Sequence, residues 1–68
     1  MGERLNDNLV KDSINMLKDE DKEIILFRDI LGFDYDEMSQ VFQCRERILE
    51  SRLSKARKNL KEIIIENI

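Results

Sequence analysis

The side chains able to do chemistry in this 68-residue chain are of few kinds. There is no histidine, no proline and a single cysteine, Cys44. That set excludes a disulfide within the chain and a histidine-rich metal site, and it leaves no nucleophile beside a base for covalent catalysis. Three successive carboxylates, Asp19, Glu20 and Asp21, lack the spacing and the glycine of a calcium loop. They stand where a helix begins, and negative charge is favoured at that end of the helix dipole. What remains is a cationic concentration. Residues 44–60, CRERILESRLSKARKNL, carry Arg45, Arg47, Arg52, Lys55, Arg57 and Lys58 together with Ser51 and Ser54. Long cations neutralise phosphate, while short hydroxyls between them let a helix come close enough for contact with base edges. The expected activity is therefore binding, with no enzymatic step, no cofactor and no metal.

The elements that position these residues follow from apolar spacing. At about 100° per residue, Leu49, Leu53, Ala56 and Leu60 fall on one line, continued by Ile63 and Ile64, so a long helix buries that line. Its opposite side holds Arg47, Ser51, Ser54 and Lys58, with Lys55 and Lys61 at the margins and Glu50 on one flank. An ordinary amphipathic helix with a solvated basic face has the same pattern. The preceding residues favour the first reading, binding. Asp34 followed by Glu37 makes a capping-box start, and a short helix over 35–42 buries Met38, Val41 and Phe42. Only Gln43, Cys44 and Arg45 separate it from the long helix. Short helix, tight turn and longer basic helix over 35–61 is the order of a helix-turn-helix. Cys44 is expected as a small packed residue of the turn. Tyr35 is placed either to pack or to donate its hydroxyl to a phosphate.

Two further helices are expected upstream. One covers about 7–17 with a stripe of Val10, Ile14 and Leu17; residues 1–6 carry no periodic signal and read as a frayed end. The other covers about 20–31, with Ile24, Phe27, Ile30 and Leu31 on one side and Ile25 and Leu26 on the other. A helix apolar nearly all round is buried on two faces, either within its own domain or against a partner, and Ile25 and Leu26 are the candidate partner-binding residues. Gly32 ends it in a left-handed cap. The tail, EIIIENI, is too apolar for one buried stripe, so it packs back on the first helix, meets a partner, or marks a surface cut open by truncation. The fold class is all-α: one compact four-helix domain spanning 1–68.

Net charge is −3, but the charge is segregated. Residues 1–44 hold five Lys/Arg against eleven Asp/Glu, and residues 45–61 hold seven against two. Because exposed charges are screened beyond about 10 Å at 0.1 M salt, the local patch matters more than the total. No apolar run approaches the roughly 20 residues of a membrane span, no signal peptide is visible, and a lone thiol fits a reducing compartment. A cytoplasmic, monomeric chain without membrane contact is the expectation.

The residues resemble the C-terminal promoter-recognition domain, region four, of bacterial sigma factors of the extracytoplasmic-function type. The similarity covers about 10–64. EIILFRDILGFDYDEMSQVF is similar to that family's helix-Gly-Tyr-acidic-helix pattern, and ESRLSKARKNL to its Ser-Arg-Leu-x-x-Ala-Arg-x-x-Leu ending. A response-regulator output domain shares the helix-turn-helix but usually lacks that second run. The resemblance implies binding of duplex promoter DNA at the minus-35 element while docked on RNA polymerase through the flap of its beta subunit. It matches Arg45, Glu46 and Arg47 to the start of the recognition helix, Glu50, Ser51 and Arg52 to base- and backbone-facing positions, and Ser54, Lys55, Arg57 and Lys58 to the groove-side run. It also implies that the apolar side of the first two helices docks on polymerase and can be covered by an anti-sigma factor.

Departures from the pattern stand beside it. Gln43 occupies the usual turn glycine, Cys44 an aliphatic position, and Arg45 and Arg47 the usual Ser and Gly. Glu50 stands at a position usually basic or neutral; a carboxylate there repels phosphate but is able to accept from cytosine N4. These features and the net negative charge keep a second reading open, a degenerate sigma-like module that works mainly through protein contacts with polymerase or an anti-sigma factor.

Overall fold

In a computed structural model the described residues are 7–67; the segment 1–6, expected to fray, and Ile68 lie outside them. Among the described residues all regular structure is helical, as expected. α1 spans Asp7–Asn15, α2 spans Asp19–Ile25 and runs on as a π-helical turn over Leu26–Ile30, α3 spans Tyr35–Phe42, and α4 spans Glu46–Glu66. No helix among the described residues is long and apolar enough to cross a membrane.

α4 is the spine. Its 21 residues extend ~31 Å at 1.5 Å per residue, against a longest dimension of 40 Å for the molecule. Leu49, Leu53 and Ala56 are at most 1% exposed and join Ile14, Leu17, Ile24, Ile25 and Met38 in one core. α2 packs on α4 most extensively, with α3 and α1 beside it. Phe27 anchors the aromatic side of this core, with Phe33 and Phe42 each at 5.1 Å in edge-to-face contact. Leu60 and Ile63 extend the packed stripe of α4, whereas Ile65 is exposed, so the isoleucine tail folds back only in part. Asn67 accompanies it, its Nδ2 donating to the Ile63 carbonyl and lying 4.0 Å from Met16 Sδ.

The helix ends follow local chemistry. Asp34 Oδ1 accepts from Glu37 N at 2.8 Å and Glu37 Oε1 accepts from Asp34 N at 3.1 Å, completing the expected capping box. Asp19, Glu20 and Asp21 form the first turn of α2, where they oppose the helix dipole. Gly32 takes φ +79°, and Phe33 N reaches back to the Phe27 carbonyl at 2.9 Å. α1 is shorter than expected: Met16 N and Leu17 N bond to the carbonyls of Ser13 and Ile14, a tighter turn that stops the α-helix at Asn15.

The second helix departs most from expectation. Leu31 N bonds to the Leu26 carbonyl at 2.8 Å, five residues back, so the chain advances around the axis by less per residue than in an α-helix. Leu31, which uninterrupted α-periodicity aligns with Ile24 and Phe27, is 60% exposed, and Ile30 is 58% exposed. The two-sided burial expected over 20–31 is thus confined to its first part. Ile25, expected on a partner-facing side, is 1% exposed and belongs to the core, because a helix crossing this close to α4 has two adjacent inward positions. Leu26 retains partial exposure.

Between α3 and α4, Gln43 adopts φ 55°, ψ 45°, and the Ser39 carbonyl accepts from both Gln43 N and Cys44 N. Any side chain in this left-handed region costs about 1–2 kcal/mol, which glycine avoids while losing about 0.5–1 kcal/mol of chain entropy. Gln43→Gly is therefore expected to stabilise the domain by about 0.5–1 kcal/mol, read as a higher urea midpoint with an unchanged slope.

Candidate nucleic-acid interface

The turn and the first half of α4 make the exposed end of the helix-turn-helix. α3 enters it already fixed by the capping box and by Met38, which is fully buried. Cys44, half-buried, packs against the core as a small residue of the turn, as expected. Arg45 then serves as N-cap in extended backbone (φ −69°, ψ 150°); its carbonyl accepts from Ile48 N and Leu49 N, but its side chain makes no capping bond. An arginine has no oxygen with which to satisfy the first free N–H groups of a helix, so this end is left open to an outside acceptor.

Arg47, Ser51, Ser54 and Lys58 are exposed on the side of α4 away from Leu49, Leu53 and Ala56, with Glu50 exposed on its flank and Arg45 exposed at the N-cap, four residues before Leu49. The packing of that buried line fixes their direction, since residues three and four apart share a face. The surface so formed is cationic with a hydroxyl strip along it and one carboxylate on its flank. Glu50 has no ion pair or hydrogen bond among the described residues, so its oxygens are available.

The other candidates are placed differently. Arg57 is turned to the π-helical turn, where its Nε donates to Asp29 Oδ2 at 3.0 Å and its Nη2 to Asp29 Oδ1, a bidentate pair. The hydrogen bond to Asp29 raises the guanidinium pKa further above its ordinary value. Both partners are well exposed, so the pair contributes only about 0.2–1 kcal/mol after screening. Its consequence is positional: Arg57 is held beside Asp29 rather than on the groove side where the motif alone placed it. Arg52 and Lys55 line a cleft toward Lys18, Glu20, Asp21 and Asn59, so these two cations border the acidic start of α2. Asn59 Nδ2 donates to Asp21 Oδ2 at 3.0 Å across that cleft, tying α4 to α2.

Tyr35 is half-buried and packs against the core, with the Arg28 guanidinium 4.6 Å above its ring. Arg28 also donates to the Phe33 carbonyl at 2.8 Å. Packing is thus what the geometry gives Tyr35, and a cation–π contact holds its ring. Ile48, exposed in the first turn of α4, was not singled out by sequence reasoning. The signal for it was present: it lies off the buried line, in the row of Arg45 and Ser51.

Leu26 and Ile30 line an apolar groove with Ile14, rimmed by Lys11 and Lys22. Of the expected pair, Leu26 is thus accessible in this groove, whereas Ile25 is buried in the core.

A profile for region 4 of sigma-70 matches residues 7–60, which include every helix up to the polar face of α4. No curated protein and no solved structure matches the chain. The helix-turn-helix, its exposed basic helix and this match over most of the sequence agree, and the chain belongs to the sigma-70 region 4 family, whose members recognise promoter DNA in transcription initiation.

Proposed function

We propose that this domain reads the minus-35 promoter element as part of a sigma factor of the extracytoplasmic-function type, with Arg45, Arg47, Lys55 and Lys58 on phosphates and Glu50, Ser51 and Ser54 toward base edges. The observation that carries this reading is the uninterrupted exposed face of α4, whose cations and short hydroxyls point away from the core that α4 itself organises. Docking on the beta-subunit flap of RNA polymerase, or cover by an anti-sigma factor, uses the groove of Leu26 and Ile30, whose lining includes no residue of α4. Arg57 acts here as a tether to Asp29, Arg52 as a cleft residue beside α2, and Tyr35 as packing.

Glu50 is assigned to cytosine, whose N4 amino group is a major-groove donor that a carboxylate can accept. An unpaired carboxylate amid cations is otherwise only a repulsion toward phosphate. A second reading, a module working mainly through protein contacts, is favoured by Glu50 and by the net charge of −3.

Fluorescence anisotropy with promoter-like duplexes at several salt concentrations tests the choice. Four phosphate contacts at about 0.9 each give a slope of log affinity against log salt of about −3 to −4. Absence of binding at low salt by the folded domain supports the protein-contact reading instead. Lys58→Ala is expected to reduce the steepness of that slope by about 1, whereas Arg57→Ala leaves it unchanged and lowers stability by about 0.2–1 kcal/mol. Glu50→Lys is expected to change the preferred sequence, at the base pair that Glu50 addresses. A uniform rise in affinity for all sequences instead identifies the carboxylate as an electrostatic obstacle.

A further inference from the structure

Resting on the DNA-reading role proposed above, we propose that Ile48 is a specificity-determining residue that packs on the C5-methyl group of a thymine. Exposure of a single isoleucine is ordinary on a protein surface and by itself decides nothing. The composition of the surface around it does. Over 46–61 of α4, every exposed residue other than Ile48 is charged or a serine. Ile48 is 46% exposed, and a β-branched side chain on a solvated helix turn gains neither from helix propensity nor from hydration. Its place is the first turn of the second helix of the helix-turn-helix, the part of such a helix that meets base edges.

Its neighbours narrow what it meets. Arg45 lies three residues before it and Ser51 three after, so Ile48 shares a helix row with an expected phosphate contact and an expected groove contact. The exposed apolar residues elsewhere, Met16, Ile30, Leu31, Val41 and Ile65, stand on other elements or at the far end of α4. The major groove presents one apolar group, the thymine methyl, and an aliphatic side chain is its natural counterpart. Residues 48 and 50 are about 200° apart around the helix, so Ile48 and Glu50 flank Arg47 and Ser51 on opposite sides and address different bases. One flank accepts a hydrogen bond from cytosine, and the other excludes water from a methyl group.

The test replaces thymines of the preferred duplex one at a time by deoxyuridine, which lacks only the methyl group, and measures anisotropy with the unaltered domain and with Ile48→Ala. Because residue 48 is exposed, the variant is expected to keep the urea midpoint of the parent, which is measured alongside. One replacement is expected to weaken binding of the parent about fourfold, the size of one buried methyl-sized group. The same replacement leaves the affinity of Ile48→Ala unchanged. Sequence-selective binding that is indifferent to every replacement, or a loss that persists in Ile48→Ala, overturns this assignment and leaves promoter reading intact. Binding with no sequence preference overturns both.

Discussion

The burial of Leu49, Leu53 and Ala56 against α2 and α3 is the interaction on which the rest depends. A chain of 68 residues with no disulfide has a small core, and this core is built around one side of α4. The other side of the same helix carries the candidate interface. Core and interface are therefore not separable parts: rotation of α4 about its axis by one residue would expose Leu53 and bury Ser54 or Lys55. The direction in which Arg47, Ser51 and Lys58 point is set by hydrophobic packing, and the cost of repacking keeps it there. Ala56, fully buried, allows close approach at this crossing, and any larger residue there would push α4 away from its neighbours.

Polar contacts refine that arrangement at its edges. Asn59 reaches Asp21 on one side of α4, and Arg57 reaches Asp29 on the other. Both acceptors lie on the second helical segment, so α4 is held from two sides by the element that also presents Leu26 and Ile30. Arg28, from the same π-helical turn, contacts Phe33 just before α3 and Tyr35 at its first residue. The widened turn thus serves as the joint of the domain: Arg28 and Asp29 reach the helix-turn-helix, Phe27 packs into the core, and Leu26 and Ile30 line the outer groove.

Much of this was legible in the sequence. The bounds of α3 and its turn were readable because their signals are local: Asp34 and Glu37 make a capping box, and only three residues separate the helices; Val41, expected to be buried, is exposed. The buried line of α4 was readable because its period is long and regular. The π-helical turn was not, since nothing in the run IILFRDIL distinguishes an i to i+5 bond from an α-helical one. Arg57 was assigned with the other cations because its partner stands 28 residues earlier, beyond any local pattern. Ile25 was given to a partner because periodicity shows that two faces are apolar without showing which meets its own domain. Arg52 was placed toward the groove by the resemblance, which does not show the acidic cleft that Arg52 and Lys55 border.

The separation of charge along α4 has a consequence before any contact forms. Arg45 and Arg47 lie at one end of a helix some 30 Å long, and Glu62 and Glu66 at the other. In the field of a polyanion such an arrangement is a dipole and experiences a torque. The basic end is drawn forward and the acidic end pushed back, so encounters arrive already oriented. A chain of net charge −3 can thus approach DNA productively at low ionic strength, where orientation offsets what the total charge opposes.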